Sequence, residues 1–481
     1  MIIRNYINGE FVEPRSGEYL DNFDPSTGKS YSQIPRSGSA DAEEAIRAAG
    51  KAFKKWSGLS PLDRSKWLMK VSDRIHDRLD ELAQAESKDN GKPVWLAKQV
   101  DIPRARDNFA FFATAIKHEQ SESHRTKDGV WNLTLRKPIG VAGCISPWNL
   151  PLYLFSWKIA PALAAGNTVV AKPSEVTPMT AYLLSEILNE IDFPKGVLNI
   201  VHGLGGEVGN AIISHQDVPV VSFTGGTKTG AHIASIAAPM FKKLSLELGG
   251  KNPVIIYDDC DFDKMLKTTI RSSFANQGQI CLCGSRIYVQ KGIYEKFKKA
   301  FVEEVDKMKV GPPQHEDSRM GAIVSEAHYK KILEYIELAR NEGGSVLTGG
   351  TAVNMEGEQA GGWYIRPTVI EGLDTTCRTN QEEIFGPVVT IQPFETEDEV
   401  IEMANATPYG LAATIWTDNL NRATRTAEQV KSGIIWVNCW LLRDLRTPFG
   451  GMKQSGVGRE GGWEALRFFT EPKNVCIDFS D

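Results

Sequence analysis

Residues 139–175 read IGVAGCISPWNLPLYLFSWKIAPALAAGNTVVAKPSE. Two short apolar runs, IGVAGCI and NTVVAK, read as buried strands, and the intervening PALAAG reads as helix. Runs that stay apolar instead of alternating belong to a sheet covered on both faces. The unit recurs downstream: GVLNIV, VPVVSFTG and PVIIY are strand-like, and TAYLLSEILNE, EVGNAIIS and TGAHIASIAA are the helices between them. Strands alternating with helices predict a parallel, doubly wound α/β sheet. Ligands of such sheets lie beyond the carboxyl ends of the strands, so the residues after each strand are the first candidates for function.

Outward from this stretch, two amphipathic helices precede it. In SADAEEAIRAAGKAFKKW, Ile46, Ala49, Phe53 and Trp56 share one face. A second helix starts at Ser60, with Pro61 at its first position and Asp63 as a capping acid, and carries Leu68, Val71, Ile75, Leu79 and Leu82. After residue 250 a second alternation, with strands RIYVQ, PVVTIQPF, LAATIWT and GIIWVN, predicts a second α/β domain. VWNLTLRKP near 130–138 and the tail NVCIDF look like strands in need of partners, which predicts a small element used for association.

Composition excludes several classes. The 481 residues are 41% hydrophobic and 24% charged, with a formal net charge of -5 and no cluster of Lys or Arg, so no nucleic-acid partner is expected. The start, MIIRNYINGEFVEP, has no charged and then apolar leader, and no apolar window of about 18 residues occurs, so the expectation is a cytoplasmic protein without membrane contact. Seven cysteines thinly spread over a long chain fit reduced thiols rather than a disulfide framework.

The strand ends carry the chemistry. After VAGCI comes SPWNLP, with Ser146, Trp148 and Asn149. Asn149 is either a turn residue beside proline or an amide donor to a developing oxyanion. After TVVA comes KPSE; Lys172 and Glu175 are either a solvated pair or contacts to a ribose, where an acid disfavours a 2'-phosphate. HGLGGEVG, with Gly203, Gly205 and Gly209, is a loosened dinucleotide fingerprint, and TGGTKTG sets Gly225 and Gly230 around a strand-to-helix turn whose free N–H groups favour a pyrophosphate. In KKLSLELGGK, Glu247 ends an apolar strand, so it is paired, protonated or functional, and a raised pKa suits a general base. FANQGQICLCGSR holds Cys281 and Cys283. A zinc site needs further soft ligands that the sequence does not offer, so no metal is expected; a nucleophile and inert packing both stay open for Cys281.

The motifs SPWNLP, AKPSE, FTGGTKTG, LELGGK, FANQGQIC, EEIFGPV and PFGGMKQSGVGREGG, in this order, resemble the NAD(P)-dependent aldehyde dehydrogenase superfamily over essentially the whole chain. The resemblance implies a Rossmann-like cofactor domain (1–117 and 139–249), a second α/β catalytic domain (250–449) and a small β oligomerisation element (118–138 and 465–481), assembled as a homodimer or homotetramer. It implies Cys281 as nucleophile, Asn149 with the Cys281 backbone N–H as oxyanion site, and Glu247 as the base that hydrolyses a thioester. It implies NAD as cofactor, contacted by Ser146, Trp148, Lys172, Glu175, Gly225, Gly226, Gly230, Leu248, Glu383 and Phe385. Gly226 departs from the pattern, because FTG is usually followed by Ser; a hydroxyl to the pyrophosphate is missing. AESKDNGKP, DIPRARDNFAFFA, SSFANQGQICLCGSR and NCWLLRDLRTPFGG most resemble dehydrogenases acting on 2-aminomuconate and 2-hydroxymuconate semialdehydes, in aromatic or tryptophan breakdown. Arg104 and Arg443 match the positions this implies for a clamp on the substrate carboxylate, while Phe109 and Trp157 belong either to the substrate tunnel or to the core. Two other readings stay open: a general or betaine-type aldehyde dehydrogenase in which both arginines are incidental, and a thiol-dependent acyl hydrolase using Cys281 and Glu247 without hydride transfer.

Overall fold

A computed structural model describes residues 1–480. Five parallel strands form the centre of the first sheet, in the spatial order Lys243–Glu247, Val220–Thr224, Val141–Ile145, Thr168–Lys172 and Leu198–Ile200. The first of these in the chain, Val141–Ile145, lies between the second and the fourth. Chain order therefore reverses there, and the loops after Ile145 and Thr224 leave toward opposite faces, opening a crevice at the carboxyl edge. The edges are antiparallel: Gly456–Val457 joins one side, and Asn5–Ile7 with Glu10–Val12 the other.

The second sheet has the order Ser345–Thr348, Thr368–Glu371, Val388–Phe394, Gly284–Gln290, Asn252–Ile256, Ala412–Trp416 and Ile434–Val437, parallel except at Ser345–Thr348. Four residues, 248–251, join the last parallel strand of the first sheet to the first strand of the second. This connection sets the carboxyl edge of one sheet beside the amino edge of the other. The strands near 130–138 and in the tail find each other: Val130–Pro138 pairs antiparallel with Thr470–Asp478 along its whole length, and Ser123–Lys127 completes a three-stranded sheet. No helix among the described residues is long and apolar enough to cross a membrane.

Three elements differ from the periodicity. The helix expected at PALAAG runs from Pro151 to Ala164, and every residue in it is buried. Pro151 at its first position starts it early, and a helix buried all round shows no amphipathic period to read. The helix expected from Ser60 to Leu82 is two, Pro61–Asp77 and Leu79–Asn90. Arg78 sits at the break, its guanidinium bonded to Glu81, Glu186 and Glu190. The periodicity also predicts no strand before residue 130, yet the N-terminal segment holds Asn5–Ile7, Glu10–Val12 and the hairpin Tyr19–Asp24 with Lys29–Pro35.

Candidate active site

A cavity of about 880 Å³ fills the crevice, lined by Ser146, Trp148, Lys172, Glu175, Gly225 and Gly226 among others. Lys172 is the last residue of its strand, and its Nζ reaches Glu175 Oε2 at 2.7 Å. Gly226 is the N-cap of the helix Thr227–Ala237 and offers no side-chain cap, so the first N–H groups of that helix face the crevice. A Cβ at Gly225 would lie 2.3 Å from the Phe223 ring, and one at Gly230 would lie 2.5 Å from Leu248 Cδ2. Of the fingerprint glycines, Gly205 and Gly209 line the crevice within a single wide turn. Gly203 packs on the backbone of Ser37 instead, because the tight turn after Ile200 points it into the protein.

The crevice continues into a smaller cavity of about 250 Å³ that shares Trp148, Gly225 and Gly226 and adds Asn149, Leu248, Cys281, Glu383 and Phe385. Here Phe385 stands edge-on to Trp148 at 5.2 Å, and His328 lies 5.1 Å from Trp148. Glu383 Oε1 accepts from the Gly250 N–H at 2.9 Å. The two adjoining cavities, with Trp148, Gly225 and Gly226 as their common wall, together reach from Lys172 and Glu175 to Cys281. Their glycine floor, open helix N-terminus and terminal carboxylates suit a dinucleotide.

Cys281 is held by a loop that leaves little freedom. Asn276, Gln277 and Gly278 have φ of 51°, 58° and 68°, three consecutive left-handed residues. Such a backbone persists only where its surroundings over-determine it. The Asn276 amide donates to Asn149 O, the Gln277 amide donates to Ala322 O, and a Cβ at Gly278 would lie 2.2 Å from Gly386 O. The Asn149 amide in turn donates to Gln279 O at 2.9 Å, which sets it beside the same loop. Burial, then the nearby Glu383 and Glu247, push the Cys281 thiol up. Cys283 is buried, its Sγ 3.9 Å from Ala275 O, and burial pushes its thiol up to about 12, which suits packing.

On the far side of the thiol, Cys281, Glu247, Glu460 and Arg443 line a third, nearly closed cavity. Glu247 is 3% exposed and neither carboxylate oxygen has a partner among the described residues. Burial, then Glu460, hold its carboxyl well above the usual carboxylate range. Cys281, Asn149 and Glu247, drawn from three separate segments, thus converge.

A large cavity of about 990 Å³ leads inward, lined by Arg104, Tyr153, Leu441 and Arg443. The Arg443 guanidinium lies 4.1 Å from the Phe449 ring centroid and 4.9 Å from that of Trp157, and its Nη1 donates to Tyr153 Oη at 2.6 Å. Arg104 lies 5.8 Å from the Tyr153 ring centroid. Both arginines are half-buried, and neither has a carboxylate within ion-pair distance among the described residues. Trp157 lines the nearly closed cavity, whereas Phe109 is wholly core.

Several further residues meet the site without a role of their own having been legible in the sequence. Lys158 pairs with Glu460 at 2.8 Å, and Ser222 bonds to both, behind Glu247. Asn90, Lys92 and Asn276 all donate to the Asn149 carbonyl. A buried lysine inside an otherwise largely apolar helix is a local signal the sequence does offer, at Lys158.

A dinucleotide-sized groove that ends on a half-buried thiol, with an amide and an unpaired carboxylate around it, defines a class of oxidoreductase that works through a cysteine. The chain belongs to the aldehyde dehydrogenase family, whose model matches residues 11–475. Among its relatives, 2-aminomuconic semialdehyde dehydrogenase of Danio rerio is 50% identical over 480 residues, covering 99% of this chain and 98% of that one. A 2-hydroxymuconic semialdehyde dehydrogenase of Pseudomonas sp. (strain CF600) is 45% identical over 481 residues, covering 99% of each chain. A crystal structure of betaine aldehyde dehydrogenase from Staphylococcus aureus in complex with NAD+ has a TM-score of 0.96 at 38% identity, covering 99% of this chain and 95% of that chain.

Proposed function

We propose that the protein oxidises 2-aminomuconate or 2-hydroxymuconate 6-semialdehyde to the corresponding acid with NAD, in the breakdown of aromatic compounds or tryptophan. The observation that carries the substrate class is the pair Arg104 and Arg443, two half-buried guanidinium groups without a carboxylate partner among the described residues, in one cavity that shares Tyr153, Ile280 and Arg443 with the small cavity holding Cys281. Guanidinium groups left without an anion at such a depth suit a ligand that brings one. Two relatives at 50% and 45% identity, whose names specify muconic semialdehydes, support the same class.

Cys281 is the nucleophile of this reading. Its thiol loses its proton as sulfur bonds to the aldehyde carbon, giving a thiohemiacetal. The Asn149 amide and the Cys281 backbone N–H stabilise the oxyanion. Loss of a hydride from the thiohemiacetal carbon and of a proton from its oxygen leaves a thioester on Cys281, and NAD, when bound, would supply the hydride acceptor. Ser146, Trp148, Lys172, Glu175, Gly225, Gly226, Gly230, Leu248, Glu383 and Phe385 are the residues that would hold it, with Glu175 favouring NAD over NADP. Glu247 then takes a proton from water, which attacks the thioester and releases the acid and the thiol. Its two unpartnered oxygens support that role, because a buried carboxylate without partners calls for a functional explanation.

The division into a cofactor domain (1–117 and 139–249), a catalytic domain (250–449) and an oligomerisation element (118–138 and 465–481) belongs to the same proposal. The three-stranded sheet has open edges at Ser123–Lys127 and Thr470–Asp478 and an exposed Trp131, which supports a homodimer or homotetramer built on it. The seven cysteines are all free, which supports the cytoplasm as its compartment.

The test is Arg443→Ala. It is expected to raise KM for a carboxylated semialdehyde about tenfold to a hundredfold, the worth of a charge-assisted hydrogen bond, and far less for a neutral aldehyde. Equal losses on both substrates would return Arg443 to an incidental role and favour a general or betaine-type dehydrogenase.

A further inference from the structure

Between the two arginines stands a side chain that the reaction does not yet use. Tyr153 is 6% exposed and lies on the helix Pro151–Ala164. It lines both the large cavity and the nearly closed one that holds Cys281 and Glu247. Its backbone carbonyl accepts from the Asn108 amide at 3.0 Å and from Ser156 Oγ at 2.8 Å, so its stretch of helix is pinned. Its hydroxyl oxygen lies 2.6 Å from Arg443 Nη1, and its ring faces Arg104.

The direction of the bond to Arg443 is fixed by chemistry. A guanidinium has donors and no acceptor, so the tyrosine oxygen must accept. The phenolic proton is then not spent on Arg443. It remains available to an acceptor lying between the two guanidinium groups, and a carboxylate is the acceptor those charges select.

We infer that Tyr153 is a specificity-determining residue: it fixes Arg443 by accepting from it and donates its own hydroxyl proton to the carboxylate of the substrate. The inference rests on the carboxylate-clamp reading of Arg104 and Arg443, and it adds a neutral donor to that clamp. The occupant it defines is an aldehyde with an anionic carboxylate at its far end. A neutral aldehyde has nothing to accept the proton.

The experiment compares the full chain with Tyr153→Phe, Arg443→Ala and the double variant, each on 2-hydroxymuconate 6-semialdehyde and on a neutral unsaturated aldehyde, by initial rates of NADH formation. Phenylalanine keeps the ring, so packing is preserved. Tyr153→Phe is expected to raise KM for the carboxylated substrate about tenfold with kcat largely kept, and to change KM for the neutral one by no more than about twofold. In the Arg443→Ala background the same change is expected to cost about threefold or less, because the two residues act as a unit. Equal effects on both substrates, or a KM for the carboxylated substrate that does not move, would overturn the role of Tyr153. If Arg443→Ala itself leaves the preference for the carboxylated substrate intact, the clamp reading fails first. Loss of preference in Arg443→Ala alone would leave the clamp standing without Tyr153.

Discussion

Glu247 and Cys281 sit on one small cavity, and burial works against the deprotonated form of both. In the proposed reaction the thiol loses a proton to attack, and the carboxyl must be ionised to accept one from water. Burial, reinforced by Glu460, raises the Glu247 pKa, so the carboxyl holds its proton to a higher pH than a free glutamate. The sign for activity follows: thioester hydrolysis is expected to speed up as pH rises through that raised value and to slow as pH falls below it. The sign for stability is opposite, since a raised carboxyl pKa favours the folded state below the ordinary range and loses that contribution as pH climbs through the raised value. Glu247→Gln is expected to retain a single-turnover burst of NADH while steady-state turnover falls by about two orders of magnitude or more, the usual worth of a positioned base. Stopped-flow absorbance separates the two phases; steady turnover at the wild-type rate would assign the base elsewhere. Both residues stand out in the sequence because they break a local rule, a carboxylate closing an apolar strand and a thiol on a polar, glycine-containing turn. Glu460, His328 and Asn90 break none, and only the fold brings them to the site.

At the level of elements, the connection of residues 248–251 does most to shape the site. It passes directly from one sheet to the other, and Gly249 lets Glu383, from the loop before Val388–Phe394, approach. A Cβ on Gly249 would lie 2.2 Å from Glu383 Oε2, so Gly249→Ala must displace the carboxylate that the Gly250 N–H holds. The expected result is a rise of about tenfold in KM for NAD, the scale of one charge-assisted hydrogen bond, with KM for the aldehyde little changed. Titration of NADH fluorescence measures the same loss in binding, and unchanged affinity would remove Glu383 from the cofactor contacts. The parallel strands of both sheets are legible in the sequence because each is a short apolar run closed by turn residues. The Pro151–Ala164 helix is legible only at its end, because burial on every side erases its period. The break at Arg78 is invisible locally, since apolar spacing continues across it and the ion pairs that fix it come from Glu186 and Glu190 on a distant helix.

On the scale of the whole molecule, a groove from the first sheet and a small pocket around Glu247 meet at one thiol, and an arginine-lined cavity adjoins that pocket through Tyr153, Ile280 and Arg443. Which strands pair, and hence that meeting point, follows from the order reversal beside Val141–Ile145, a property no single motif contains. Long-range pairing also builds the sheet of Val130–Pro138 with Thr470–Asp478, whose open edges are expected to join copies of the chain. Sedimentation velocity at micromolar concentration is expected to give a dimer or tetramer; a monomer would leave those edges unexplained. The most direct measurement of the function is the ratio of kcat/KM, read as NADH formed with NAD, for 2-aminomuconate or 2-hydroxymuconate 6-semialdehyde against a neutral aldehyde of similar length. A ratio of about ten or more is expected from the paired guanidinium groups. A ratio near one, or hydrolysis of activated esters with no NADH from any aldehyde, would contradict the account.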